Sequence, residues 1–221
     1  MLRKTKISAV LLFVFSTPGF CSGFYLGAGV GPEYASFKKD SHFVQGINAN
    51  VIDKSQLSGW GTFGSIFGGY GWIHKSFYLA GELNANVSSV NSHSSNSEYV
   101  HQTFSSTDYK MKHSYGISVI PGYLFSPITL FYARLGYTNS NFKISTSDAS
   151  LANIDTNLDG FRFGAGIKQT ISEKLAVRLE CSQVNYQRKS MRVIVSPVIT
   201  KTTKINPQTG QVEFGLIYNF A

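Results

Sequence analysis

Along Phe161 to Gln169 the apolar side chains fall on every second position: Phe161, Phe163, Ala165 and Ile167 share one face of an extended chain, and Arg162, Gly164, Gly166 and Lys168 share the other. After Ser172-Glu173-Lys174 the pattern returns, with Leu175, Val177, Leu179 and Cys181 opposed to Ala176, Arg178, Glu180 and Ser182. Two alternating segments across a short polar turn predict a hairpin. Six further segments alternate in the same way and predict strands over Gly23–Tyr34, Gly59–Trp72, Phe77–Val90, Asp108–Phe125, Leu130–Asn141 and Gln211–Phe220. In Gly59–Trp72 glycine occurs on both faces, which points to a bulge.

The connections alternate in length. Ile73–Ser76, Ser126–Thr129 and Ser172–Lys174 are short, whereas Ala35–Ser58, Asn91–Thr107, Phe142–Thr156 and Lys189–Pro207 are long. An even number of antiparallel strands with short turns at one end and long loops at the other is the plan of a barrel that crosses a membrane. A soluble sandwich has no reason to alternate so. The polar face combines glycines with long charged side chains, which suits a narrow lumen. The expected fold is therefore all-β: an eight-stranded antiparallel up-and-down transmembrane β-barrel. Aromatic residues gather at both ends of the strands. Phe24, Trp72, Phe77, Phe125, Phe131 and Tyr218 lie at the short-turn end; Tyr34, Trp60, Tyr109, Tyr137 and Phe161 lie toward the long loops. Two such girdles match the two membrane interfaces. Tyr25 and Tyr78 fall on the opposite parity and are expected inside.

The first residues follow a different logic. Arg3, Lys4 and Lys6 precede the apolar run Ile7 to Phe15 and then Ser16-Thr17-Pro18-Gly19, the layout of a secretory signal peptide over residues 1–22, with the barrel over 23–221. Removing that segment takes away three basic residues and no acidic one, so the formal charge falls from +8 to +5. Only Cys181 then remains, so no intramolecular disulfide is available. Charged residues make up 14% of the chain, against roughly 25% in ordinary soluble domains. No segment after the signal has the run of apolar residues that a membrane helix needs.

The opening FYLGAGVG, the LFYARLGYT of the fifth strand, the GFRFGAGIKQTISEKLAVRLE hairpin and the closing VEFGLIYNF carry a family resemblance. The chain resembles the small eight-stranded outer-membrane β-barrels, a porin-like family related to the transmembrane domain of outer membrane protein A. The resemblance covers nearly all of the mature chain and implies an integral protein of the bacterial outer membrane. It says little about activity.

Strand parity sends Glu33, Glu82, Lys112, Arg134, Arg162, Lys168, Arg178, Glu180 and Glu213 into the lumen. Four acids and five bases in a barrel filled by its own side chains predict an ion-pair network in place of an open channel. No charge falls on the lipid face of the central strand positions, where one arginine would cost roughly 2–4 kcal/mol near the midplane. Cys181 is expected on that face. In the fourth long loop Arg188, Lys189, Arg192, Lys201 and Lys204 alternate with Val193, Ile194, Val195, Val198 and Ile199, and no acidic residue lies between Cys181 and Gln211. Such a loop suits contact with polyanions: lipopolysaccharide phosphates or acidic glycans on a host surface. His93-Ser94-Ser95-Asn96, with Glu98 nearby, has a spacing found in barrel enzymes that modify lipid A. Its serine-rich surroundings favour an ordinary loop. No metal site, cofactor loop or nucleic-acid motif is present in the sequence. The expected function is a non-enzymatic monomeric barrel serving envelope structure and surface interaction or adhesion, set against a small gated pore and a lipid A-modifying enzyme.

Overall fold

The computed structural model describes residues 22–45, 49–97, 104–146, 153–196 and 199–220; the predicted signal peptide falls almost entirely outside them. Ten strands form one antiparallel sheet: β1 (Gly23–Gln45), β2 (Ala49–His74), β3 (Phe77–Ser88), β4 (Asn91–Ser97), β5 (Phe104–Ser126), β6 (Thr129–Thr146), β7 (Ile154–Thr170), β8 (Leu175–Tyr186), β9 (Lys189–Ser196) and β10 (Ile199–Asn219). Ten replaces the expected eight. Strand pairing runs β1-β2-β3-β5-β6-β7-β8-β10, and β10 pairs back onto β1, so eight of the ten close a ring. The other two continue ring members after short breaks. β4 follows β3 across Ser89–Val90 and pairs with β5, and β9 follows β8 across Gln187–Arg188 and pairs with β10.

The long connections expected as loops are largely strand. β1 and β2 stay paired from Gly23↔Gly71 out to Gln45↔Ala49, and β6 and β7 stay paired out to Ile144↔Ile154. At the other end the turns are tight: Lys75–Ser76, Pro127–Ile128 and Ile171–Lys174. Lys75 has φ 56°, the left-handed region that a two-residue hairpin turn asks for.

Polarity is inverted relative to a soluble domain. Leu26, Val30, Ile66, Leu83, Ile117, Leu135 and Phe214 are exposed on the outer wall, while Glu82, Arg134 and Glu180 are buried in the lumen. In register, Leu83 faces Ile117, and Leu135 faces Phe163, so the apolar belt is continuous from strand to strand. Aromatic pairs mark its edges, Phe24 with Tyr70 and Tyr34 with Trp60, each with ring centroids 5.0 Å apart. Among the described residues no helix is long and apolar enough to cross a membrane, which leaves the strands as the crossing elements.

Inside, the lumen is layered. Tyr25, Phe67, Tyr78, Ile120, Leu130, Tyr132 and Ile217 form an apolar cluster at the short-turn end. Phe37, Val90, Met111, Phe142, Ile144, Leu158, Tyr186 and Ile205 form a second cluster toward the long hairpins. The buried charges lie between them along the strands.

Candidate functional site

The middle layer is built from inward positions of six strands. Glu82 of β3 accepts from Arg134 Nη2 (2.6 Å) of β6 and from Arg178 Nη1 (2.8 Å) of β8. Arg134 Nε also reaches Glu180 at 2.9 Å, and Arg178 Nη2 reaches Glu213 at 2.6 Å. Two tyrosines from the apolar layer below donate into the same network: Tyr25 to Glu82 and Tyr132 to Glu180, both at 2.9 Å. The Arg178 guanidinium lies over the Phe67 ring, 3.4 Å from its centroid. Each charge is thus met by an opposite charge or a hydroxyl, which is what makes its burial tolerable.

The remaining inward charges sit at the margins. Glu33 accepts from Gln211 Nε2 (2.8 Å) and from the Ser88 hydroxyl. Lys168 donates to Asn219 Oδ1 (3.3 Å) and lies over the Tyr25 ring. Arg162 makes no direct ion pair among the described residues, but its Nη2 is 3.0 Å from the Asn86 amide when that amide turns its oxygen inward. Glu33, Glu82, Arg134, Arg162, Lys168, Arg178, Glu180 and Glu213 are all buried.

Lys112 is not part of this set. The β5–β6 pairing shifts register between Met111 and Ser114, so Met111 turns inward and is buried, and Lys112 and His113 are both exposed. A bulge inserts one extra residue and reverses parity beyond it. The lumen set therefore holds four acids and four bases.

The fourth expected loop is a hairpin. Lys189 pairs with Ile205, Ser190 with Lys204, Arg192 with Thr202 and Val193 with Lys201. Arg188, Lys189 and Lys204 are exposed, whereas the side chains of Arg192 and Lys201 lie outside the described set. Asp40 of β1 stands opposite Lys204. In the second long hairpin His93 of β4 lies directly across from Asp108 of β5, with His93 Nδ1 2.8 Å from Asp108 Oδ1. Both are at least partly exposed, and Ser95 lies two residues further along β4, paired with Ser106. Glu98 lies outside the described residues.

The two apolar layers are the feature that parity reasoning missed. The signal for the outer one was present, since Ala35 and Phe37, and Phe142 and Ile144, continue the alternation past the expected strand ends.

The sequence matches the model of a family described as outer membrane protein beta-barrel domain over residues 7–220. No curated protein matches it. Among solved structures, the outer membrane protein OprG from Pseudomonas aeruginosa is 11% identical, with a TM-score of 0.51, covering 92% of this chain and 100% of that one. The outer membrane protease OmpT from Escherichia coli is 9% identical, with a TM-score of 0.50 and coverage of 95% and 99%. Neisserial surface protein A is 14% identical, with a TM-score of 0.47 and coverage of 90% and 98%. At such identities the likenesses to OprG and OmpT speak for the fold alone.

Proposed function

This chain belongs to the outer membrane protein beta-barrel domain family, and from that premise we propose a non-enzymatic role. The barrel acts as a closed outer-membrane stave that stiffens the envelope and holds four long hairpins at the cell surface for interaction or adhesion. One observation carries this reading: a charge-matched layer is sealed between two apolar layers inside the lumen. Such an interior favours a plug over a conduit, which shifts function to the outside. There, the basic hairpin of Arg188, Lys189, Arg192, Lys201 and Lys204 is the surface suited to polyanions, either the phosphates of lipopolysaccharide or acidic host glycans. Replacing Arg188, Lys189, Arg192, Lys201 and Lys204 together by glutamine, which keeps the β9–β10 pairing and buried Ile205, is expected to abolish binding of dextran sulfate by the purified barrel. Binding that persists unchanged ends the proposal.

A second reading is supported by the His93–Asp108 hydrogen bond, because an imidazole oriented by a carboxylate is two-thirds of a relay for activating a hydroxyl. With Ser95 two residues along the same strand, the reaction class for such a relay is ester hydrolysis on lipid A acyl chains. Lipid A mass spectra from cells expressing His93→Ala or Ser95→Ala are expected to equal those of the parent under the non-enzymatic reading. An acyl chain regained in either variant establishes the enzyme instead.

A further inference from the structure

The outer wall is not uniformly convex. A groove of about 720 Å³ opens on it, floored by Ala165 of β7, Cys181 of β8, and Gly210 and Val212 of β10. Tyr34 and Trp60 wall it on one side and Phe163 on the other. The register aligns the walls and floor in one row, Trp60↔Tyr34↔Gly210↔Gln183↔Phe163, across neighbouring strands. At about 4.8 Å per strand, the spacing from β1 to β7 gives a trough roughly 14 Å wide. Its depth comes from sequence: small side chains stand where the rest of the belt carries leucine, isoleucine or phenylalanine. The β1–β10 ladder is also interrupted there. Val30 pairs with Phe214 and Glu33 with Gln211, and Gly31 and Pro32 between them leave the ladder across the seam. A Cβ at Gly31 would lie 1.8 Å from the Val212 carbonyl oxygen, so only glycine permits this approach.

Above the groove, toward the long hairpins, the same outer face turns polar and then basic. Gln183 donates to Asn185, and Tyr34 and Ser58 share a hydrogen bond at 3.1 Å. Further along come exposed Lys38 and Lys204, with Asp40, opposite Lys204, the one acidic residue among the described outward positions of β1, β8, β9 and β10 on this half, while exposed Arg188 lies in the break before β9 and exposed Lys189 pairs with inward-facing Ile205. Lys204 is six residues from Gly210 on the same strand face, about 20 Å along the strand. That is the reach of one extended acyl chain.

We propose that this groove holds an acyl chain of a phosphorylated glycolipid of the outer leaflet, lipid A, whose phosphates are met by the cations above it. The apolar trough alone would take any lipid tail. The cations select an anionic headgroup at one chain length's distance, so the two features together define the ligand. The proposal rests on the reading that the long hairpins face outward, and protease access to tags in those hairpins tests that premise separately.

Glycine supplies a clean test. A Cβ added at Gly210 meets nothing within 4 Å, so Gly210→Trp fills the groove without disturbing the wall behind it. Gly81 on β3 is equally open and outward, and Gly81→Trp is the matched control. The full barrel, in nanodiscs containing lipid A and phosphatidylethanolamine, is read by native mass spectrometry for retained lipid. The wild type and Gly81→Trp are expected to keep one lipid A. Gly210→Trp is expected to lose retention at least about tenfold, what displacing about two buried methylenes removes. Replacing Lys38 and Lys204 together by glutamine is expected to abolish the preference for lipid A over phosphatidylethanolamine. Equal retention by the two tryptophan variants overturns the proposal, as does a wild type that retains both lipids alike. A barrel dimer that only Gly210→Trp dissolves also overturns it, by assigning the groove to a second copy.

Discussion

Glu82 receives three donors at once: Arg134 Nη2, Arg178 Nη1 and the Tyr25 hydroxyl. Truncating it would leave two guanidinium groups in the lumen short of an acceptor, and a buried pair broken on one side costs about 3–5 kcal/mol. Glu82→Ala is therefore expected to lower the stability of the barrel in lipid vesicles by that order in urea titrations. Lys112→Ala, at an exposed bulge, is expected to stay within about 0.5 kcal/mol of the wild type. Equal losses in the two variants would show that the network is not what stabilises the lumen. Lys112 also marks the limit of reading faces from sequence. Its neighbours Met111 and Tyr115 are both apolar, so nothing in the pattern betrays the extra residue that separates them. Seven of the eight buried charges are legible because each has apolar or small neighbours at both i−1 and i+1, and Lys168 follows the same parity through Ile167.

At the scale of the strand, the elements run well beyond the apolar belt. Phe37 of β1 and Phe142 of β6 meet inside this extension, with ring centroids 5.4 Å apart. Phe142→Ala is expected to cost about 3–5 kcal/mol of local stability. Amide exchange should then quicken in Ala35–Gln45 and in the outer half of β6, while Gly23–Val30 keeps its protection. Uniform quickening along β1 would contradict a separately packed outer layer. The sequence predicts loops over these extensions for a physical reason. Outside the bilayer the outward side chains are serine, threonine, asparagine and lysine, so alternation loses its contrast, and the inward residues that remain apolar are few. The membrane-crossing segments had lipid on one side and a charged lumen on the other, and there the contrast was complete. The breaks at Ser89–Val90 and Gln187–Arg188, which raise the strand count to ten, have no marker of glycine or proline in the sequence.

Taken whole, the described lumen holds its charge layer between two apolar clusters, an arrangement that predicts a closed barrel. Planar bilayers containing the purified barrel are expected to show no discrete openings at neutral pH, at acid pH or in high salt. Steady unitary currents under any of these conditions would restore the pore. The charge layer also constrains how such a cylinder comes to exist. Glu82 is made early, but Arg134 follows 52 residues later and Arg178 96 residues later, and the seam joins the first strand to the last. A partly assembled sheet would hold a carboxylate facing hydrocarbon with no counter-ion in reach. Insertion hairpin by hairpin is thereby penalised, and the chain must curl into a nearly complete cylinder while water still bathes its concave side. The pairing that makes the finished lumen inert thus serves, during biogenesis, as a check on the order of events: dehydration comes last, after the ends have met.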